Sequence, residues 1–192
     1  MAVFQDWELT LMKWTGIAVA SFLTLNTALH PILSHFNGKI DSGENTIVLS
    51  NDYNPDNDDG FFSGGIVDFF MYPPVVLRQN LRGRHVDWYS NATRAQVLDS
   101  FEDPKNQNIV LIGHGSNANY ATGDGAVGVR DLYDLDIPVR NGELMQHTCG
   151  VWDLNVSLRD YLYPDVSQGF SFDREVRWIE NYAVSWVAVL GN

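Results

Sequence analysis

Cysteine and lysine are the residues that this sequence has least of. Its single cysteine, Cys149, excludes an internal disulfide, so the fold has to rest on its hydrophobic core. The free thiol is therefore either reactive or simply buried. Lysine occurs only at Lys13, Lys39 and Lys105. Lysine therefore contributes only three positive charges to the chain.

The shortage of positive charge leaves the chain strongly acidic. It has 24 Asp and Glu against 12 Lys and Arg, which gives a formal net charge of -12. This charge excludes a nucleic acid as a partner, because phosphates carry the same sign. An aspartate-rich, lysine-poor surface is typical of proteins that stay soluble in concentrated salt. The composition therefore predicts a halophilic, salt-adapted protein, and an ordinary acidic protein is the alternative.

Charged residues are absent between residues 14 and 38. A helix over residues 14–33 is long enough to cross the core of one bilayer. We therefore expect a single-pass membrane helix within residues 1–36, followed by a polar linker at residues 37–45. Lysines flank the segment on both sides, so its orientation in the membrane is not determined.

The same segment also has features that suit packing against protein. Gly16, Ala20 and Thr24 are spaced four residues apart, so one face of the helix is small enough for close contact with a partner helix. Asn26 and His30 interrupt the apolar sequence. A hydrophobic helix buried against other protein is therefore the alternative to a membrane span.

The remaining residues, 46–192, predict one globular domain, since 45% of the chain is hydrophobic and no repeat is visible. Short apolar strands alternate with helical patterns, which predicts an α/β fold with a mostly parallel, doubly wound sheet. The expected strands are residues 46–50, 84–89, 109–112 and 144–148. The expected helices are residues 93–101, 156–163 and 174–190, together with a helix at 61–81 that is kinked or broken at Pro73-Pro74.

Two loops contain patterns that imitate ligand sites. The acidic loop at residues 51–60 has several oxygen ligands for a cation, but it lacks the spacing of an EF-hand, so we interpret it as a solvated turn. Residues 123–128 match the glycine spacing of a dinucleotide-binding loop without the required strand before it and helix after it. We interpret this stretch as a flexible loop.

The most informative stretch is residues 108–150. One apolar strand ends in Gly113-His114-Gly115, and a second ends just before Cys149. The C-terminal ends of parallel strands meet at one edge of the sheet, where α/β proteins bind their ligands. A histidine and a cysteine at two such ends are able to form a nucleophile and base pair.

These two blocks, Ile109-Val-Leu-Ile-Gly-His-Gly115 and Leu144-Met-Gln-His-Thr-Cys-Gly150, resemble those of the caspase-like cysteine peptidases. That group includes caspases, metacaspases, legumain, gingipain, clostripain, separase and the bacterial CHAT proteases. The resemblance covers roughly residues 46–150 and implies a caspase-like fold. It also implies peptide-bond hydrolysis through an acyl-enzyme.

The chemistry of the residues predicts the same roles. His114 would act as the general base that converts Cys149 to its thiolate, and then as the acid toward the leaving amine. The backbone N–H groups of Gly115 and Cys149 would form the oxyanion hole. His147 is an alternative base. The resemblance to the arginine- or lysine-specific members of the group implies that Asp153 or Asp165 could face a basic substrate side chain. This chemistry requires no cofactor and no metal.

The sequence therefore predicts a membrane-anchored, caspase-like cysteine peptidase whose partners are a peptide or protein substrate and the membrane. The alternative is a non-catalytic, membrane-bound structural or interaction subunit of a larger assembly, which uses the same scaffold and partner helices. A flavodoxin-like ligand-binding module ranks third, because the chain lacks a phosphate loop.

Overall fold

The protein is an α/β structure, and the computed structural model describes residues 6–41, 43–51, 66–116, 118–148, 157–163, 169–171 and 178–190. The helices within these residues are α1 (Asp6–Asn37), α2 (Ile66–Leu81), α3 (Arg94–Glu102), α4 (Leu158–Leu162) and α5 (Trp178–Leu190), with a 3₁₀ helix at Val129–Asp134. The strands are β1 (Asn45–Asn51), β2 (His85–Tyr89), β3 (Asn106–Gly113), β4 (Gly115–Ser116), β5 (Asn119–Thr122), β6 (Gly125–Gly128), β7 (Leu144–His147) and β8 (Gly169–Ser171).

Among the described strands, five form one sheet in the order β2-β1-β3-β7-β8, and each adjacent pair is parallel. The prediction of a parallel α/β sheet is confirmed. The chain places β2 on one side of β1 and β3 on the other, so the strand order reverses at β1. Such a reversal leaves a crevice at the C-terminal ends of the strands. We call this end of the sheet the C-terminal edge, and the opposite end the N-terminal edge.

Helices cover both faces of this sheet. Ile109 and Leu111 of β3 pack on one face with residues of α3, α4 and the 3₁₀ helix. Val110 and Ile112 pack on the other face with residues of α1, α2 and α5. Because both faces are buried, the strand reads as a continuous apolar run rather than as an alternation of apolar and polar residues.

The helix α1 is longer than the apolar segment at residues 14–33, and its C-terminal half packs on the domain. Asn37, its last residue, exchanges two hydrogen bonds of 2.8 Å with the backbone of Val86 in β2. Asn26 is fully buried and lies 3.5 Å from the hydroxyl of Tyr182 in α5. The polar residues that interrupt the apolar sequence therefore contact the domain. The connection from α1 to β1 is short, at residues 38–44.

One stretch of α1, Lys13–Asn37, is long and apolar enough to cross a membrane. The core helix of a soluble protein and a signal sequence meet the same criteria of length and composition. The apolar N-terminal helix is thus confirmed.

Of the two outcomes expected at Pro73-Pro74, a kink or a break, the break is wrong, because α2 continues through both prolines. Proline has no N–H, so Pro73 leaves the carbonyl of Phe69 without its helical donor. The Nε2 atom of His30 lies 2.8 Å from that carbonyl oxygen, and the His30 ring stacks on the Phe69 ring at 5.0 Å. A side chain of α1 therefore supplies the hydrogen bond that Pro73 cannot make.

A charged cluster lies at the N-terminal edge of the sheet. The carboxylate of Glu143, just before β7, lies 3.2 Å from Arg78, 2.7 Å from Arg82 and 3.2 Å from Arg84. The side-chain amide of Gln79 donates a further hydrogen bond of 3.2 Å. Burial acts to raise the pKa of Glu143, but Arg78, Gln79 and Arg82 together outweigh it, so this pKa lies below its ordinary value. The start of β7 is thereby tied to α2.

Candidate functional site

The candidate site lies at the C-terminal edge, where β1 and β3 end side by side. Their last paired residues are Asn51 and Gly113. Asn51 is buried, whereas His114, the next residue after β3, is exposed. The edge that α/β proteins use for ligands thus presents an imidazole to solvent.

Both neighbours of His114 have to be glycine. Gly113 has a φ of +135° and Gly115 a φ of +150°, a region that side chains rarely occupy. A Cβ atom on Gly113 would lie 2.1 Å from the carbonyl oxygen of Asn51, and one on Gly115 would lie 2.5 Å from that of Asn119. The backbone around His114 is therefore held closely by β1 on one side and by β5 on the other.

The N–H of Gly115 points away from the neighbouring strand. The N–H of Ala121 donates to the carbonyl of His114 at 2.9 Å, which identifies these two residues as a hydrogen-bonded pair of the antiparallel ladder. Hydrogen-bonded and non-hydrogen-bonded pairs alternate, so Gly115 and Tyr120 form a non-hydrogen-bonded pair. This direction suits the predicted role of the Gly115 N–H in an oxyanion hole.

A three-stranded antiparallel sheet, β4-β5-β6, follows His114 directly. The expectation of a flexible loop at residues 123–128 is wrong, because Gly125–Gly128 is a strand paired with Asn119–Thr122. The buried hydroxyl of Tyr120 lies 2.8 Å from the carbonyl oxygen of Leu49 and 3.1 Å from that of Ile112, and its single proton is shared between these two acceptors. These contacts fasten the small sheet to the ends of β1 and β3.

The small sheet is also fastened to β7 and to α3. The side-chain amide of Gln146 in β7 donates to the carbonyl of Ser116. The turn between β5 and β6 contacts the start of α3, where the backbone N–H of Arg94 donates to Asp124 at 2.6 Å. That hydrogen bond is the main reason why the pKa of Asp124 lies below its ordinary value. The chain on either side of His114 is therefore anchored to three elements of the domain.

The second strand of the predicted pair, β7, ends at His147 beside β3. Its register pairs Ile112 with His147. His147 is 1% exposed, whereas His114 is exposed to solvent. Of the two candidate bases, His114 is therefore the one that a substrate in solution reaches.

Other predicted site residues lie outside the described part of the chain. These are Cys149, Asp153, Asp165 and the acidic loop apart from Asn51, so their positions relative to His114 are not described. Within the residues that the structure does describe, no three His, Cys, Asp or Glu side chains lie together as a metal site.

Sequence reasoning missed several residues that hold His114 in place. It assigned a role to Gly115 but not to Gly113, and it did not identify Tyr120 or Gln146 as anchors. The two-residue turn between β5 and β6 is Gly123-Asp124, and a Gly-Asp dipeptide between two strands is a hairpin signal that would have revealed the small sheet. No comparable signal marks the anchors, because their partners are backbone carbonyls of distant strands.

Comparison with known proteins adds no family assignment. The chain matches no model of a known protein family, and a search of curated proteins gives no match.

Proposed function

We propose that this chain is a membrane-anchored cysteine peptidase with a doubly wound, caspase-like fold and a Cys149–His114 dyad. The register of β3 on β7 carries the proposal. Ile112 pairs with His147, and His114 and Cys149 each follow two residues later in the sequence. His114 is the first residue after β3 and Cys149 is the second residue after β7, so both residues follow the C-terminal ends of two neighbouring parallel strands.

The proposed reaction begins when His114 takes the proton of the Cys149 thiol and the thiolate attacks the carbonyl carbon of the substrate. The N–H groups of Gly115 and Cys149 hold the oxyanion of the tetrahedral intermediate. His114 then returns the proton to the leaving amine, and a thioester remains on Cys149. Water, deprotonated by His114, attacks the thioester and releases the new carboxylate and the free thiol.

A thiol-directed peptidyl probe, such as a peptidyl acyloxymethyl ketone, tests this proposal. It should label the wild type and fail to label Cys149→Ala and His114→Ala. His35→Ala is the matched control, because His35 is an exposed histidine of α1, and this variant should be labelled at the wild-type rate. Wild-type protein that resists every such probe, or labelling that survives in His114→Ala, would contradict the peptidase proposal.

The proposal includes adaptation to high salt, which the distribution of positive charge supports. Arg78, Arg82 and Arg84 converge on one buried glutamate. The guanidinium of Arg140 is buried against backbone carbonyls, and this burial lowers its pKa. Few positive charges remain to offset the surface carboxylates, so their mutual repulsion should weaken as salt screens it. The unfolding temperature should therefore rise from dilute buffer to molar KCl, and a constant or falling temperature would contradict this part of the proposal.

A second candidate function is a non-catalytic, membrane-bound subunit of a larger assembly. Leu25, Ile32 and Phe36 lie at spacings of seven and four residues on α1 and are about half exposed beside the domain. A partner helix would cover this face. The probe experiment separates the two functions, because a non-catalytic subunit has no activated thiol that would react with a peptidyl electrophile.

A further inference from the structure

The direction of α1 follows from its contacts with α2 and β2. Asn37 at the end of α1 contacts Val86 near the start of β2 and also Asn80 near the end of α2. At the other end of the contact, the ring of Phe22 stacks on Phe70, in the second turn of α2. The two helices therefore run side by side in the same direction.

This direction is opposite to that of the strands. His85, the first residue of β2, pairs with Asn45, the first residue of β1, so both lie at the N-terminal edge. The end of α2 is joined to this point by a short turn at residues 82–84. The start of α2 therefore lies at the C-terminal edge of the sheet, and so does Phe22 of α1.

The lengths of the elements agree with this placement. The 15 residues from Phe22 to Asn37 rise about 22 Å in a helix, and the seven residues of β1 span about 20 Å. The rest of α1, residues 6–21, therefore continues for about 24 Å beyond the C-terminal edge. This is the edge that carries His114.

Side chains of the projecting helix are described at residues 13–17, 20 and 21, and all of these are exposed. Residues 14–17 carry no charge, and successive helical residues turn by about 100°, so these four residues cover the whole circumference. Trp14 is 66% exposed and Ile17 is 56% exposed. A single partner helix would cover only one face, whereas lipid hydrocarbon covers every face. A bilayer is therefore the occupant that fits this part of α1.

We propose that the C-terminal edge of the sheet, with His114, lies directly against the bilayer into which the uncharged part of the projecting helix, residues 14–21, inserts. This uncharged part is about 12 Å long, which is shorter than a hydrocarbon core of about 30 Å, so the domain cannot stand away from the lipid surface. The substrates are then peptide segments at the membrane surface, next to where a chain enters the bilayer. The substrate class rests on the proposed peptidase function, whereas the orientation does not.

Two labelled positions test the orientation in the full-length protein. Ser90 is exposed just after β2 at the C-terminal edge, and Lys105 is exposed just before β3 at the N-terminal edge. In a Cys149→Ala background, Ser90→Cys or Lys105→Cys is the only thiol and accepts a fluorescent label. The protein is reconstituted in phosphatidylcholine vesicles that contain lipids with a nitroxide quencher on the headgroup.

The label at position 90 should be quenched at least about three times more strongly than the label at position 105, since about 20 Å of strand separates the two edges. Equal quenching, stronger quenching at position 105, or a protein that does not bind vesicles would overturn the proposed orientation. Quenching in this experiment does not depend on any activity.

A cleavage experiment with the wild-type protein separates the substrate class from the peptidase function. The same peptide is supplied either free in solution or attached to a lipid in the vesicle, and the attached form should be cleaved faster. If the free form is cleaved at the same rate or faster, the membrane-surface substrate class is wrong and the peptidase function stands. If neither form is cleaved and no peptidyl probe labels Cys149, the peptidase function and its substrate class fail together, and the quenching result still decides the orientation.

Discussion

Replacement of Glu143 by glutamine measures how much the charge of Glu143, at the N-terminal edge of the sheet, contributes to the free energy of unfolding. The carboxylate has three guanidinium partners at 2.7–3.2 Å, and its side chain is only 9% exposed. Removal of one partner from a buried ion pair costs about 3–5 kcal/mol, because the other charge is left without compensation. Arg82 and Arg84 are partly exposed to water, and this screening moves the expected loss to the lower end, about 3 kcal/mol.

The loss of stability is measured by unfolding the full-length protein in detergent at fixed ionic strength, with circular dichroism as the readout. A loss of about 3 kcal/mol corresponds to a decrease of roughly 6–12 °C in the unfolding temperature of a domain of this size. Glu44→Gln is the matched control, because Glu44 lies 3.6 Å from the same Arg84 but is 60% exposed. That exposed pair should contribute less than about 0.5 kcal/mol.

The pH dependence of the same variant provides the test that would refute this reasoning. The pKa of Glu143 is lower in the folded protein than its ordinary value of 4.5, so its charge stabilises the fold at every pH above that value. This contribution is lost as the pH falls through the folded pKa, where the wild type becomes neutral at this position, as glutamine is. The difference between the two proteins should therefore be full at pH 7 and shrink below pH 4.5. A difference that is absent at pH 7, or constant down to acid pH, would show that the charge of Glu143 does not hold this edge.

Two further substitutions test the C-terminal edge and the helix layer. Gly113→Ala should destabilise the protein by about 3 kcal/mol and abolish probe labelling, because its Cβ collides with the Asn51 carbonyl. Gly125→Ala is the control, since Gly125 has a similar positive φ but open space around it. This variant should lose less stability and should still be labelled by the probe. His30→Leu should cost about 2 kcal/mol in urea unfolding, because the Phe69 carbonyl loses its donor; a loss below about 0.5 kcal/mol would show that Pro73 needs no compensation from α1.

Four of the five strands of the main sheet were predicted, whereas β8 (Gly169–Ser171) was missed. The central strands were recognisable because they are buried on both faces. Such strands are short apolar runs that end in glycine or polar residues, as at residues 46–50 and 109–112, and no distant contact is needed to recognise them. The helix of α3 was equally clear, since Thr93 and Gln96 form a capping box within four residues of sequence. Elements whose signals are local and periodic were therefore found.

The features that were missed depend on contacts between distant parts of the chain. Proline rules predict a kink or a break in α2, and the sequence does not reveal that His30, 43 residues before Pro73, supplies a donor to the carbonyl that Pro73 leaves free. The small sheet has only two large apolar residues, Tyr120 and Val127, and otherwise consists of glycine, alanine and small polar residues. The arginines around Glu143 come from a segment about 60 residues away, so no spacing rule links them to that carboxylate.

The His30 contact also fixes the position of α1 along its axis relative to the sheet. A shift of α1 by one helical turn moves its side chains by about 5.4 Å. Such a shift would separate His30 from the carbonyl freed by Pro73, and it would break both hydrogen bonds between Asn37 and Val86. Each of these polar groups would then be left buried without its partner, at a cost of about 1–3 kcal/mol per group. The length of helix beyond the C-terminal edge is therefore fixed by the packing of the domain.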